Sequence, residues 1–413
     1  MVLWVRCLSF SIDRYIESLI FSNIVPIKRA IDRIHTVRIS GRCYMHYVYP
    51  KWHTVSFTLV AKKHIEYMNY ILNRFVECKI NEIDERAFLG FNPSVPLPTF
   101  VHPAFYIMSE MMQKRFKKLG VFDKKGYEWW RRKFDRLIAV EVADSDRLSE
   151  QAVEIANLFD VIVVPSTFSR DAFINSGVKR PVHVVPHGLD FEWYLLPNFW
   201  ETSLNYMVGQ NILELYQYKQ RTGKKLILFW LWHSPMRKGW PEVKRFYEKL
   251  RRRRDDVVLI LKTYGPNPHE LEEVRHLGAI NVYGWISEYE KMALFDLADI
   301  TLNFSRGGAF ELNCLEALGR GRPCLAHKCC GWADYVPDFI AVKNGEKVQP
   351  LPGNHIHVGY GYTVDVGDAV DRAEDILDNY DEYQAKLEEY RREVLMPKFN
   401  WYYAGVELIK TLI

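Results

Sequence analysis

The feature that most constrains this chain is an alternation that begins near residue 136. Short runs of uninterrupted apolar, β-branched residues are each followed by a loop and then by apolar residues at helical spacing. "RLIAVEVADSD", "DVIVVPS" and "PVHVVPHGLD" are three such runs, separated by "RLSEQAVEIANLF" and "TFSRDAFINSGV". A strand without polar–apolar alternation is buried on both faces, and a strand–helix repeat joins successive strands in parallel. The prediction is a parallel sheet covered by helices on both sides.

The pattern breaks at 195–223, where a loop leads into a helix ending near Gly223. A second series then follows. Its strands are "LILFWLWH", "DVVLILKTYG", "INVYGWIS", "DITLNFS" and "PCLAHKC". Its helices are "PEVKRFYEKLRRR", with Pro241 at a first-turn position that tolerates it, "PHELEEVRHLG", "EYEKMALFDLA" and "ELNCLEALGRG". A charged helix spans about 368–395, and "FNWYYAGVELIKTLI" closes the chain. At 413 residues the chain is too long for one ordinary core. The expected architecture is two Rossmann-like, doubly wound α/β domains facing across a cleft. The N-terminal domain takes 1–195, a linker with a helix 196–222, the C-terminal domain 223–385, and a helix crossing back to the first domain 386–413.

No apolar run approaches the ~20 residues that span a bilayer, and Arg6 and Asp13 interrupt any leader-like pattern at the N-terminus. A cytoplasmic location is the expectation. Seven cysteines at 7, 43, 78, 314, 324, 329 and 330 include no CxxC pair, so neither a zinc site nor a disulfide framework is expected. Residues 1–140 carry 23 Lys and Arg against 12 Asp and Glu, although the whole chain is only +4. That half therefore suits an anionic partner: a lipid surface, a nucleic acid or a phosphorylated acceptor. Within "QKRFKKLGVFDKKGYEWWRRKF" (113–134) basic residues interleave with Phe116, Phe122, Trp129 and Trp130, a mixture that fits an anionic membrane surface and a lipid-linked acceptor. No helix-turn-helix, zinc or RNP-type pattern supports the nucleic-acid alternative.

Ligands of doubly wound sheets sit at the carboxyl ends of strands. Two loops there hold chemistry. "WHSPMRKGW" packs His233, Arg237 and Lys238 beside Gly239, and such cations suit a diphosphate. "RGGAFELNCLEALGRGRP" (306–323) places Gly307 and Gly308 before a helix starting near Glu311, whose first-turn amides, those of Leu312 and Asn313 among them, offer an anion site. Glu311 is read as capping that turn and facing the cleft. Glu316, ~140° further round the helix, could hold a ribose diol. Asp144 and Asp146 at the end of one strand, and His102 in "TFVHP", are candidates on the first-domain side.

These segments, in this order, resemble the GT-B glycosyltransferases of the large retaining family called family 4 or group 1. "VHVVPHGLDFEWY" is similar to the family's "PNGVD" turn, with His187 at the asparagine. "MRKGWPEV" matches its diphosphate loop. "YGWISEYEKMALFDLADITLNFS" matches the segment framing the base, which brings in Gly284 and Trp285. "RGGAFELNCLEALGRGRPCLA" matches its E-x7-E signature. The resemblance implies a donor UDP-, GDP- or ADP-sugar, transfer with retention and neither metal nor cofactor. Lys238 falls on the diphosphate lysine and Glu316 on the ribose-binding glutamate. His233 stands where an arginine is usual, with Arg237 the nearest substitute. The first signature glutamate falls on Gly308, and Glu311 occupies a usual glycine. Either Glu311 reaches the donor sugar from a rearranged loop or that contact is lost, which keeps a catalytically degenerate nucleotide-sugar binder as the alternative.

Overall fold

The computed structural model describes residues 2–35, 43–53 and 56–413, and their side chains except those of 2–11 and 35. Six parallel strands form the first sheet: β1 (Cys43–Tyr49), β2 (Cys78–Asp84), β3 (Thr99–Val101), β4 (Leu137–Val140), β5 (Val161–Val164) and β6 (Val182–Val184). Six more form the second: β7 (Lys225–Leu231), β8 (Val257–Thr263), β9 (Ile280–Tyr283), β10 (Ile300–Asn303), β11 (Cys324–His327) and β12 (Ala341–Val342). The uninterrupted apolar runs become these central strands: β4, β5, β8, β10 and β11 are buried along their whole length. The fold is α/β with two parallel sheets.

The strand orders decide where ligands can bind. The first sheet runs β2-β1-β3-β4-β5-β6 and the second β9-β8-β7-β10-β11-β12. In each, the direction of winding reverses at one point, and adjacent loops splay apart there to leave a crevice. In the second sheet that point lies between β7 and β10. The loops that follow them are the two chemistry-bearing loops identified from sequence.

Local signals match the helices. Ser149, Ser166 and Ser287 cap the Glu150–Ala156, Thr167–Asn175 and Glu288–Leu297 helices, the last with a full capping box through Glu290. Gly223 ends the Gln210–Thr222 helix in the left-handed region, at φ 66°. The charged tail is two helices rather than one, Val366–Asp378 and Tyr380–Tyr390, broken at Asn379. The closing helix, Trp401–Lys410, lies against Ser56–Leu72 of the first sheet's layer. A side chain at Gly405 would meet Ile71 and Tyr67 at 2.9 and 3.2 Å, so glycine sets the close approach.

Two features depart from the sequence reading. Cys43 and Cys78 form a disulfide, contrary to the expectation of thiols only: they are register partners at the start of β1 and β2, with Cα atoms 4.4 Å apart. The side chain of Cys7 lies outside the described residues. Second, an antiparallel pair, β13 (Asn344–Val348) and β14 (Gly361–Val364), carries a connecting segment back onto the first sheet's loop. There Asp146 N–H donates to the Tyr360 carbonyl (3.0 Å) and Ser149 N–H to that of Ile356 (2.9 Å). No described helix is long and apolar enough to cross a membrane.

Candidate active site

The site is assembled where the loop after β7 meets the loop after β10. Gly239 has φ 77°, and a Cβ there would lie 2.0 Å from the Phe304 carbonyl oxygen. Only glycine permits both the backbone turn and that approach. The contact is reinforced by Arg306 N–H donating to the Arg237 carbonyl at 2.7 Å. Arg306 in turn forks onto the buried carboxylate of Glu242.

Lys238 and Glu311 are thereby brought together. The ammonium donates to Glu311 Oε1 and Oε2 at 2.8 and 2.6 Å, and Arg237 Nη1 stands 3.6 Å from Oε1 while donating to the Gly307 carbonyl (3.1 Å). Burial lowers the Lys238 pKa, against the pull of Glu311. An ammonium has three donors, so the pair with Glu311 leaves one for another anion. Glu311 is the N-cap residue of the Leu312–Gly319 helix, yet its side chain makes no capping bond, which corrects the reading of it as a cap. Leu312 and Asn313 supply first-turn amides that a helix leaves without internal partners.

Across the crevice, Asp144 follows β4 and accepts the Ala309 N–H at 3.0 Å. Gly307 packs so closely that a Cβ would sit 2.4 Å from the Asp144 carbonyl oxygen. Asp144 is thus joined to the site, and Asp146 is not: its carboxylate accepts from Tyr360 N–H (2.7 Å) in the returning segment. His233 is exposed and bonds Ser234 (3.0 Å). Partial desolvation of its ring and the cations at 237 and 238 lower its pKa, so it does not replace an arginine's charge near pH 7.

His102 is buried away from this cluster, against Tyr47 Oη (3.2 Å), which also bonds His64 Nδ1 (2.8 Å). His64 stacks on His102 and lies tilted to His187 at 6.2 Å, and His187 packs on Phe310 of the second-sheet loop with ring centroids 5.0 Å apart. Burial holds His102 and His187 down at about 3. This chain of rings links His102 to the second-sheet loop.

One turn into the Leu312–Gly319 helix, Glu316 is buried. Its Oε1 pairs with Lys291 of the Glu288–Leu297 helix, and its Oε2 is buried with no partner. Burial raises the Glu316 pKa despite Lys291. Sequence reasoning missed Lys291, which lies 25 residues before Glu316 with no motif to mark it. It also missed Lys262 at the end of β8, buried and donating to the Gly284 and Thr263 carbonyls (2.5 and 3.0 Å), with a pKa lowered to about 8 chiefly by burial. Gly284 has φ 89°, and the next residue, Trp285, is exposed beside Trp232, which also meets Tyr264. Among the described residues no group of three or more His, Cys, Asp or Glu is placed to hold a metal ion.

Residues 226–352, which carry both loops, match the family described as Glycosyl transferases group 1. Over 347 residues the chain is 34% identical to Uncharacterized protein 356 of Sulfolobus islandicus rod-shaped virus 1, covering 83% of this chain and 91% of that one. The chain belongs to the group 1 glycosyltransferases. The fold of this glycosyltransferase is similar to that of sucrose-phosphate synthase from Thermosynechococcus elongatus, at TM-score 0.60 and 12% identity over 88% of this chain and 97% of that one. It is equally similar to a glycosyltransferase from Rickettsia africae ESF-5, at TM-score 0.59 and 12% identity over 89% and 98%. In the glycosyltransferase a Cβ at Gly308 would lie 3.1 Å from Glu311 Oε1 and 3.3 Å from the Trp332 ring. The Glu311 carboxylate thus fills the space beside position 308.

Proposed function

We propose that this glycosyltransferase moves a sugar from a nucleoside diphosphate sugar to an acceptor, with retention at the anomeric carbon and without a resident metal. The observation that carries the reading is the meeting of Lys238 and Arg237 on Glu311, the N-cap residue of the Leu312–Gly319 helix, at the switch point of the second sheet. Breaking a sugar–diphosphate bond builds negative charge on the leaving group, and fixed positive charge placed there lowers the barrier. Lys238 and Arg237 bind the diphosphate. Glu316 Oε2, buried and unpartnered, accepts from the ribose diol. Glu311 takes the donor-sugar role of the first signature glutamate, since its carboxylate sits beside Gly308. Asp144 holds the Gly307–Ala309 turn against the first sheet.

The acceptor approaches from the basic half, at the cytoplasmic face of a membrane. Of the apolar residues in 113–134, Phe116 and Trp130 are core, whereas Leu119, Val121 and Trp129 are exposed, in the same segment as exposed Lys117, Lys118, Lys124 and Lys125. Exposed apolar tips among lysines favour anionic headgroups.

A thermal-shift panel of UDP, GDP, ADP and their sugars tests the donor half, because a ligand bound only by the folded state stabilises it by mass action. One base class raises Tm, and Lys238→Ala removes that rise. No shift with any of the six refutes the reading.

A further inference from the structure

Cys329 and Cys330 are adjacent in the chain and their sulfur atoms lie 2.9 Å apart. They follow β11 and precede the short turn Gly331–Asp334. Cys329 is half-buried and Cys330 fully buried. Although burial raises the Cys329 pKa, the adjacent Cys330 thiol and the nearby His327 ring bring it down to about 6, so a thiolate is available near neutral pH. The pair touches the donor loop directly. Gly331 N–H donates to the Gly308 carbonyl at 3.1 Å, and a Cβ on Gly331 would lie 1.7 Å from the Ala309 carbonyl oxygen. Trp332 packs against Gly308 from the same turn. The other described thiols, Cys314 and Cys324, are wholly buried.

We propose that Cys329–Cys330 is a reversible oxidation site for low-molecular-weight disulfides, and that closing it displaces the Gly307–Glu311 loop. The Cys329 thiolate attacks one sulfur of RS–SR, forming a mixed disulfide and releasing RS⁻. Cys330 then gives up its proton to RS⁻, attacks the Cys329 sulfur and expels the second RS⁻, which takes a proton from water. Two protein thiols are oxidised to one disulfide, and one small disulfide is reduced to two thiols. The exposed sulfur is the attacking one and the buried sulfur resolves, as the accessibilities require.

Bond formation must close the sulfurs by about 0.9 Å, to ~2.05 Å. Adjacent Cα atoms stand only ~3.8 Å apart, below the usual disulfide range, so the bond is readily reduced. The backbone around Cys330 has to shift to accommodate it. Gly331 has no slack against Ala309, so that shift is passed to the donor loop. The consequence for donor binding rests on the function proposed above, and the readouts chosen here do not.

The test uses the full chain with Cys7→Ser, incubated with oxidised glutathione. Peptide mapping is expected to show the 329–330 peptide lighter by two hydrogens and free of adduct. In Cys330→Ser the glutathione adduct is expected to persist on Cys329, and Cys329→Ser is expected to take up none at this peptide. Hydrogen–deuterium exchange of the 307–313 peptide is expected to run several-fold faster in the oxidised protein and to return to its starting rate with dithiothreitol. Absence of the internal bond, or a persistent adduct on the parent chain, overturns the oxidation site. An internal bond with unchanged exchange overturns the coupling to the loop.

Discussion

The ammonium of Lys238 lies 2.8 and 2.6 Å from the two carboxylate oxygens of Glu311, although the residues are 73 positions apart and sit on loops after different strands. Neither is at the surface. The pair exists because the second sheet reverses its winding between β7 and β10, which sets the two loops side by side. On the proposed function, a diphosphate shares Lys238 with Glu311 or takes it over, and Arg237, 3.6 Å from Oε1, is placed to hold the carboxylate.

Lys238→Ala is expected to abolish transfer while the chain stays folded. Removing one donor to a developing oxyanion typically costs about 2.7–4 kcal/mol in the barrier, and the loss belongs in turnover more than in folding. Single-turnover kinetics with the base class found by thermal shift, together with circular dichroism, check it. Unchanged turnover would contradict the assignment of Lys238.

Gly308 and Glu311 are expected to behave as a coupled pair. Gly308→Glu alone adds a second carboxylate where a Cβ already meets Glu311 Oε1 at 3.1 Å, so crowding and like charge both oppose it. Glu311→Gly alone leaves Lys238 buried with no carboxylate within bonding distance. The double exchange returns one carboxylate to the pocket. It is expected to recover more activity than either single variant, an interaction energy of about 0.5–3 kcal/mol in a double-mutant cycle. Additive losses would show that the two carboxylate positions are not equivalent.

These relationships explain what could be read from sequence and what could not. The strands from 137 onward are legible because central strands of a parallel sheet are predominantly apolar, and the helices between them because their apolar residues recur at helical spacing. The first half was opaque for the opposite reason. β1, "CYMHYVY", buries Tyr47 and satisfies its hydroxyl with His64 and His102, so its polarity hides its depth. Cys43 and Cys78 are 35 residues apart, and only strand register makes them partners. Lys291 beside Glu316 and the return of residues 349–360 to the first sheet depend on packing between elements, which leaves no local periodicity. Lys238 and Glu316 stand out in the sequence because they fall on two motifs of the family it resembles, on the loop after β7 and on the helix after β10.

Asp296→Ala is expected to destabilise the protein strongly. Asp296 and Arg320 are both buried, and Arg320 also donates to the carbonyls of Trp193, Leu196 and Pro197 (3.2, 2.9 and 3.0 Å), in the connection between the sheets. Removing one partner of a buried ion pair typically costs about 3–5 kcal/mol, because the other charge is left unpaired. Urea unfolding measures it. A variant that loses less than about 1 kcal/mol would show that the carbonyls alone suffice for Arg320.

In a chain carrying Cys329→Ser, stability is expected to peak near pH 6.5, set by buried groups of the first sheet and its loops. His102 and His46 are buried and fall to about 3 and about 4 in the folded protein, chiefly through burial. The unfolded chain, with histidine near 6.5, binds protons that the native state refuses. Their contribution is therefore complete above pH 6.5 and is lost as pH falls, at about 1.4 kcal/mol per unit for each. Glu141 acts in the other direction. Burial raises it to about 8, although Phe105 and Val142 N–H groups donate to its carboxylate at 2.7 and 2.9 Å. Its contribution is complete below about pH 4.5 and is lost as pH rises to 8, at a similar rate. Below 6.5 His102, His46 and His187 outweigh one carboxyl and stability falls with acid. Above 6.5 the Cys329 thiol, depressed to about 6, opposes Glu141, so only with that thiol removed does the carboxyl dominate and stability fall with base. Urea midpoints of the Cys329→Ser chain between pH 5 and 8 check the shape. His102→Gln flattens the acid limb and Glu141→Gln the alkaline one, and a profile that rises steadily across the range would contradict both assignments.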